Sequence, residues 1–355
     1  MVFVPENRHA IKPADGFVKK QLADDHLELV ARCELACTYC STDKNRWQCR
    51  QKPDFERRTA EQLGTPQHGC DHTKPLLAWK NILAQLEDEL RSPRAVGTRK
   101  TLMFSMLTDP FSPWLVENGI TRRALELLIE RSEYRIRVLT KSVLVAKPEF
   151  VELFAKHSDR IVVGLSVGSL DPTWARQVER RVPAPLARVR ALHALQDAGV
   201  TTYGMLCPVF PCVLSNEGVD ALVDALRLQR CETVWAEPFN SRSNWRDVRD
   251  AHPPADRTWF DAAFPAGRTE TDVVWSRYAT DLYLQLRDAA ARGGWSERLR
   301  YLLYEGRITE QDAPAFHAGI ADGTVLLQGK PDETGVSCNA AIAAGGRRRR
   351  LEVHS

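Results

Sequence analysis

Residues 26–40 read HLELVARCELACTYC: a short apolar run, His26–Arg32, that delivers Cys33, Cys37 and Cys40 onto one turn. The run is rich in Leu and Val and reads as a β-strand. Three thiolates at this spacing, at the end of a strand, suit three corners of a cubane iron–sulfur cluster, because such clusters take soft thiolate ligands. A fourth cysteine would fill every iron. Three leave one corner for a small molecule, as a catalytic metal keeps an open position. The other readings are a zinc knuckle completed by His26 or a distant ligand, and cysteines buried as small apolar residues. Zinc sites more commonly present paired C-x2-C units.

Outward from this loop the chain alternates strand-like and helix-like segments as far as residue 240 or so. After His26–Arg32 the strand candidates are Lys100–Ser105, Tyr134–Lys141, Arg160–Val167, Thr201–Leu206 and Thr233–Glu237. Between them run apolar stripes at helical spacing: Trp79, Ile82, Leu83, Leu86 and Leu90, then Leu125, Leu128 and Ile129. A third stripe joins Leu186, Val189, Leu192 and Leu195, with prolines before it and Gly199 as its stop; a fourth joins Val219, Leu222, Val223 and Leu226. Strand–helix units in series predict an α/β fold with a parallel sheet, curled into a full or partial barrel or lying flat and doubly wound. A barrel places functional groups on the loops that follow its strands.

Two stretches break the alternation. Residues 41–74 form a long polar insertion, and insertions of this length are usually functional. Within it Cys49, His68, Cys70 and His72 are candidates for a second metal site. Beyond Trp245 the alternation stops: Thr271–Arg292 reads as a long helix ending at Gly293–Gly294, with a second helix around Leu299–Tyr304. The expected organisation is an N-terminal extension (1–25), a core domain (26–245), a helical C-terminal region (246–339) and a flexible basic tail (340–355) that includes Arg347–Arg350.

With 49 basic against 46 acidic residues the net charge is +3, which gives no electrostatic argument for a nucleic-acid or membrane partner. The opening residues 1–16 are polar and broken by prolines, without the apolar core of a signal peptide, and no stretch is apolar enough to span a membrane. A cytoplasmic protein is expected. Its nine cysteines are then ligands, reactive groups or packed thiols rather than disulfides.

The C-x3-C-x2-C loop with aromatic Tyr39 before the last cysteine resembles the signature of the radical S-adenosylmethionine (SAM) superfamily. The runs Phe104–Pro110, Val138–Lys141, Gly164–Ser166 and Met205–Val209 are similar to the branch containing spore photoproduct lyase and related DNA repair photolyases. The resemblance implies a partial (β/α)6 TIM-type barrel and a [4Fe–4S] cluster on Cys33, Cys37 and Cys40. Its open iron would bind the amino and carboxylate groups of SAM, and the cluster would donate one electron to cleave SAM to a 5′-deoxyadenosyl radical. It further implies that Tyr39 packs against the adenine, and that Ser105, Thr108 and Asp109 approach the methionine end. Lys141 would pair with the carboxylate, and Ser166 would bond the ribose or carboxylate. The electron would come from an external donor of the flavodoxin or ferredoxin type. An acid, a lysine, hydroxyls and an aromatic ring are suitable partners for SAM on chemical grounds as well.

Two positions depart from that branch. Its hydrogen-donating cysteine before the Thr-Asp is replaced by Leu107, and the tyrosine after the last cluster cysteine by Ser41. Cys207 and Cys212, flanking the end of the fifth strand, are candidates for a replacement thiol, the alternative being a packed and a loop cysteine. Glu237 is a candidate at the end of the sixth strand, followed by Asn240, Arg242 and Asn244 in a polar loop. The substrate class stays open among a damaged nucleic acid, a metabolite and a peptide. A non-catalytic alternative is a zinc-stabilised nucleic-acid-binding protein that uses the basic tail on phosphates.

Overall fold

The computed structural model describes residues 2–4, 9–15, 17–40, 56–57, 60–62, 64–66, 76–91, 96–240, 245–264 and 273–328. Most of the 41–74 insertion, including Cys49, His68, Cys70 and His72, lies outside the described residues, as do Arg242, Asn244 and the Arg347–Arg350 tail. The chain divides into two compact units. The first comprises Met1–Ser166, Pro172–Thr202 and Arg242–Ala251; the second comprises Val167–Asp171, Tyr203–Ser241 and His252–Ser355.

The first unit contains β1 (Val2–Val4), β2 (Ile11–Pro13), β3 (Asp25–Leu27), β4 (Val30–Arg32) and β5 (Leu77–Trp79), then α1 (Ile82–Glu89) and β6 (Thr101–Phe104). It continues with α2 (Ile120–Arg131), β7 (Arg135–Thr140), α3 (Pro148–Lys156), β8 (Ile161–Leu165), α4 (Pro172–Val178) and α5 (Pro185–Asp197). Its five-stranded sheet has the order β2-β3-β6-β7-β8. The strands from β3 to β8 are parallel, and β2 is antiparallel to β3. A second sheet of three strands has the order β1-β5-β4.

The parallel strands are apolar because helices cover their faces. Every residue of β8 is buried. Leu102, Met103, Phe104, Ile136 and Val138 are fully buried in the neighbouring strands, and Phe111 packs edge-on against Phe150 of α3 with ring centroids 4.9 Å apart. Register aligns the strand ends: Leu27 pairs with Phe104, Phe104 with Val138, and Thr140 with Leu165. The next residue on each of β6, β7 and β8 is Ser105, Lys141 and Ser166. All three therefore stand at the carboxyl ends of adjacent strands, where α/β sheets bind their ligands.

The second unit contains β9 (Gly204–Val209), α6 (Val219–Leu226), β10 (Val234–Pro238), α7 (Val273–Arg292), β11 (Leu299–Leu303) and β12 (Val325–Leu327). Its parallel four-stranded sheet has the order β12-β11-β10-β9. Trp235 meets Tyr203 edge-on at 5.6 Å, and Trp275 of α7 is fully buried.

Three expectations need correction. The strand expected over His26–Arg32 is two strands, β3 and β4, in different sheets. Glu28 lies at the break. Its buried carboxylate accepts the backbone N–H groups of Met106, Leu107 and Thr108, each at 2.9 Å, and the Thr108 hydroxyl at 2.6 Å. The C-terminal region is not wholly helical: the helix expected around Leu299–Tyr304 is β11, paired with β10, and β12 follows it. Five residues with four buried are too short and too uniformly apolar to carry a helical period, and pairing partners decide such a run. The N-terminal extension contributes β1 and β2 to the two sheets of the first unit. The architecture is α/β with mixed sheets, and no closed barrel is present among the described residues.

Candidate functional site

The loop carrying Cys33, Cys37 and Cys40 leaves β4 and is held from three directions, all within the first unit. Inside the loop the Cys40 N–H donates to the Cys37 carbonyl at 3.1 Å, and Ala36 takes the left-handed conformation at φ +52°. On one side the Glu34 carboxylate accepts the Trp114 N–H at 3.0 Å. On the other the Thr38 N–H donates to the Val178 carbonyl at 2.8 Å, and Cys37 forms an antiparallel bridge with Glu179. The loop is thereby stapled to the end of α4.

None of the three thiols is in a disulfide, and all are half-buried. Burial pushes the Cys33 thiol well above the ordinary range, and Cys40, Cys37 and Asp109 push the same way. Burial pushes Cys37 up to about 12; Lys141 opposes, Glu179 and Cys40 add to the rise, and Arg188 opposes. Burial thus favours the protonated form of Cys33 and Cys37, and a soft metal group must displace those protons when it binds. Among the described residues no three His, Cys, Asp or Glu side chains gather tightly enough for a single metal ion. The corners of a cubane lie further apart than the ligands of one ion, and a soft three-thiol donor set suits it.

Around the cysteines the strand ends supply polar groups. Lys141 Nζ donates to Ser166 Oγ at 2.9 Å and lies 5.6 Å from the centre of the Tyr39 ring. The Tyr39 hydroxyl donates to Glu179, which also receives Arg188. Arg188 Nη1 donates to the Ser166 carbonyl at 2.6 Å. The Ser105 hydroxyl is fully buried with no hydrogen-bond partner, and the buried Thr38 hydroxyl is likewise unmatched. Buried hydroxyls normally find a partner, so these two mark positions where a bound group can supply one.

Thr108 and Asp109 use their polar atoms on protein. Thr108 bonds Glu28, as above. Asp109 Oδ1 accepts the Phe111 N–H at 2.9 Å and the Thr140 hydroxyl at 2.7 Å, and its Oδ2 accepts the Lys141 N–H at 2.7 Å. Burial raises the Asp109 carboxyl, and these three donors pull it back. The effect is to set the backbone on which Lys141 stands.

In the second unit Glu237 accepts the Tyr304 hydroxyl and the Asn240 side-chain amide, the latter at 3.2 Å. Cys212 Sγ lies 3.6 Å from Ser169 Oγ, and Cys207 is half-buried.

Residues 27–228, more than half of the chain, match the family model of the Radical SAM superfamily. This chain belongs to the radical SAM superfamily. Membership implies SAM and an iron–sulfur cluster as cofactors. Uncharacterized protein ORF301 of Acidianus two-tailed virus is 26% identical over 198 residues, spanning 56% of this chain and 60% of the viral protein. Uncharacterized protein Rv2578c of Mycobacterium tuberculosis is 29% identical over 194 residues, spanning 54% of this chain and 51% of that protein. The chain thus spans between half and 60% of the length of these relatives. Among solved structures, a cysteine-to-alanine variant of spore photoproduct lyase superposes with a TM-score of 0.51 at 16% identity, covering 83% of this chain and 80% of that one. At that identity the likeness shows a shared fold. Among the described residues no helix is long and apolar enough to cross a membrane.

Sequence reasoning missed Glu28, Glu179 and Arg188. Glu28 sits in an apolar run with nothing to separate it from a solvent-facing strand residue. Glu179 and Arg188 are nine apart across a proline-broken turn, a separation that no helix or strand period brings together.

Proposed function

We propose that this radical SAM enzyme holds a [4Fe–4S] cluster on Cys33, Cys37 and Cys40 and binds SAM against Tyr39, Ser105, Lys141 and Ser166, in a partial (β/α)6 barrel. The observation that carries this reading is three half-buried thiols on one loop whose Tyr39 ring lies 5.6 Å from Lys141 Nζ at the end of β7. A cluster held on these cysteines would supply the single electron for reductive cleavage of SAM, and with it radical chemistry at a substrate carbon–hydrogen bond.

The chain's own residues do the rest. Lys141 and Arg188 favour the thiolate form of Cys37 against its burial, which assists release of the proton on ligation. Lys141 offers its ammonium to the SAM carboxylate, with Ser166 fixing its direction. Tyr39 offers a flat ring to the adenine. The unmatched Ser105 hydroxyl gains a partner from the methionine end. Thr108 and Asp109 act through the backbone, Asp109 by holding the N–H of Lys141. Apolar strands close the floor and exclude water from the reactive species.

The substrate is a carbon–hydrogen bond of a nucleic-acid lesion, a metabolite or a peptide, and Cys207, Cys212 and Glu237 are the candidates for contact with it. The electron donor is an external protein of the flavodoxin or ferredoxin type, and the compartment is the cytoplasm. Anaerobic reconstitution followed by dithionite and SAM tests the reading: it expects 5′-deoxyadenosine and methionine. A protein that takes up zinc without acid-labile sulfide, and leaves SAM intact, overturns it.

A further inference from the structure

Glu179 and Arg188 form the most deeply buried ion pair of the first unit's site region, with side chains 4% and 1% exposed. One carboxylate serves three donors. Its Oε2 takes Arg188 Nη2, and its Oε1 takes the Tyr39 hydroxyl and Arg188 Nη1, the latter at 3.4 Å. Arg188 Nη1 also reaches the carbonyl of Ser166, whose hydroxyl receives Lys141. The backbone of Glu179 adds the bridge to Cys37. Two charged side chains thus join the aromatic ring, the lysine, the serine and the cysteine loop.

We propose that the Glu179–Arg188 pair is the positioning device of the SAM site, presetting Tyr39 for the adenine and Ser166 with Lys141 for the carboxylate. The inference rests on the SAM-binding reading above and deepens it. Neither residue touches the bound molecule; each acts through a residue that does. The geometry requires an arginine, because only a planar fork places parallel donors on a carboxylate while turning one of them toward a carbonyl. An ammonium has donors enough but lacks the planar fork that fixes their directions. Preset partners raise affinity because less freedom is lost on binding.

Two variants test this with different risks to folding. Tyr39→Phe removes only the hydroxyl that Glu179 holds and leaves the ion pair whole. Arg188→Lys keeps the charge and removes the fork. Each is reconstituted anaerobically beside wild type, and four quantities are read: iron and sulfide content, melting temperature, SAM dissociation constant by equilibrium dialysis, and the change SAM causes in the electron paramagnetic resonance of the reduced cluster. The expected result is wild-type iron and sulfide in Tyr39→Phe, a melting temperature lowered by about 2–4 °C for the lost hydrogen bond, and SAM affinity lowered about tenfold, with a perturbed SAM-dependent spectrum. Arg188→Lys lowers affinity in the same direction. Wild-type SAM affinity in Tyr39→Phe and in those Arg188→Lys molecules that carry cluster overturns the inference while the SAM-site reading stands. So does an affinity loss that only tracks cluster loss. A wild-type protein that binds neither cluster nor SAM overturns the reading and the inference together.

Discussion

Arg188 and Glu179 meet inside the first unit, where the arginine side chain is 1% exposed and the glutamate 4%. Removing one charge leaves the other buried without compensation, which typically costs about 3–5 kcal/mol. Arg188→Leu is expected to lower the unfolding free energy by about that amount in a denaturant titration. Pairing it with Glu179→Leu is expected to recover much of the loss, because the lone charge is then gone.

Leu186 lies on the same helix and has the opposite fate. It is 54% exposed, although the apolar stripe Leu186, Val189, Leu192, Leu195 includes it. Leu186→Ser is therefore expected to change stability by less than about 0.5 kcal/mol, as surface substitutions do. A loss comparable to a core leucine would show that α5 is rotated from its present setting.

These two residues show how far the sequence could be read. The helix itself was legible from Pro185 to Gly199, and so were its Val189, Leu192 and Leu195 contacts. Its exact rotation was not, because a buried arginine turns the helix toward a partner that periodicity cannot anticipate. The parallel strands β6, β7, β8 and β10 were legible as apolar runs between turns, and the cysteine loop from its spacing; β9 runs from Gly204 to Val209 rather than over Thr201–Leu206, so Cys207 lies inside the strand and not beyond its end. The break at Glu28 was not, since the donors it collects come from residues 106–108 on a distant segment. Nor was β11, whose five residues become a strand only because β10 and β12 lie beside it.

Asp109 predicts a pH dependence. Burial raises its carboxyl from the ordinary 3.8, so the folded protein holds this proton to a higher pH than the unfolded chain. Stability from this group therefore falls as pH rises from about 4 through the raised folded value, and is constant above it. Asp109→Asn is expected to lack that component. It also turns an amide N–H toward the Lys141 N–H, which leaves a buried donor unmatched and costs about 1–3 kcal/mol. Denaturant unfolding of both proteins between pH 4 and pH 8 checks the two effects; parallel curves would contradict the first.

Gly168, just past the end of β8, packs under the second unit's own backbone. A Cβ there would lie 2.0 Å from the Pro208 carbonyl oxygen and 2.9 Å from the Phe210 ring. Gly168→Ala is expected to destabilise by about 1–3 kcal/mol, the usual range for forced overpacking. The melting temperature reads this directly.

The central claim is that Cys33, Cys37 and Cys40, and not the other cysteines of the chain, hold the cluster. Iron and acid-labile sulfide after anaerobic reconstitution of wild type and of the variant with all three changed to alanine test it most directly. The account predicts about four irons and four sulfides per wild-type chain and none above background in the variant. Cluster content surviving the triple substitution would contradict it.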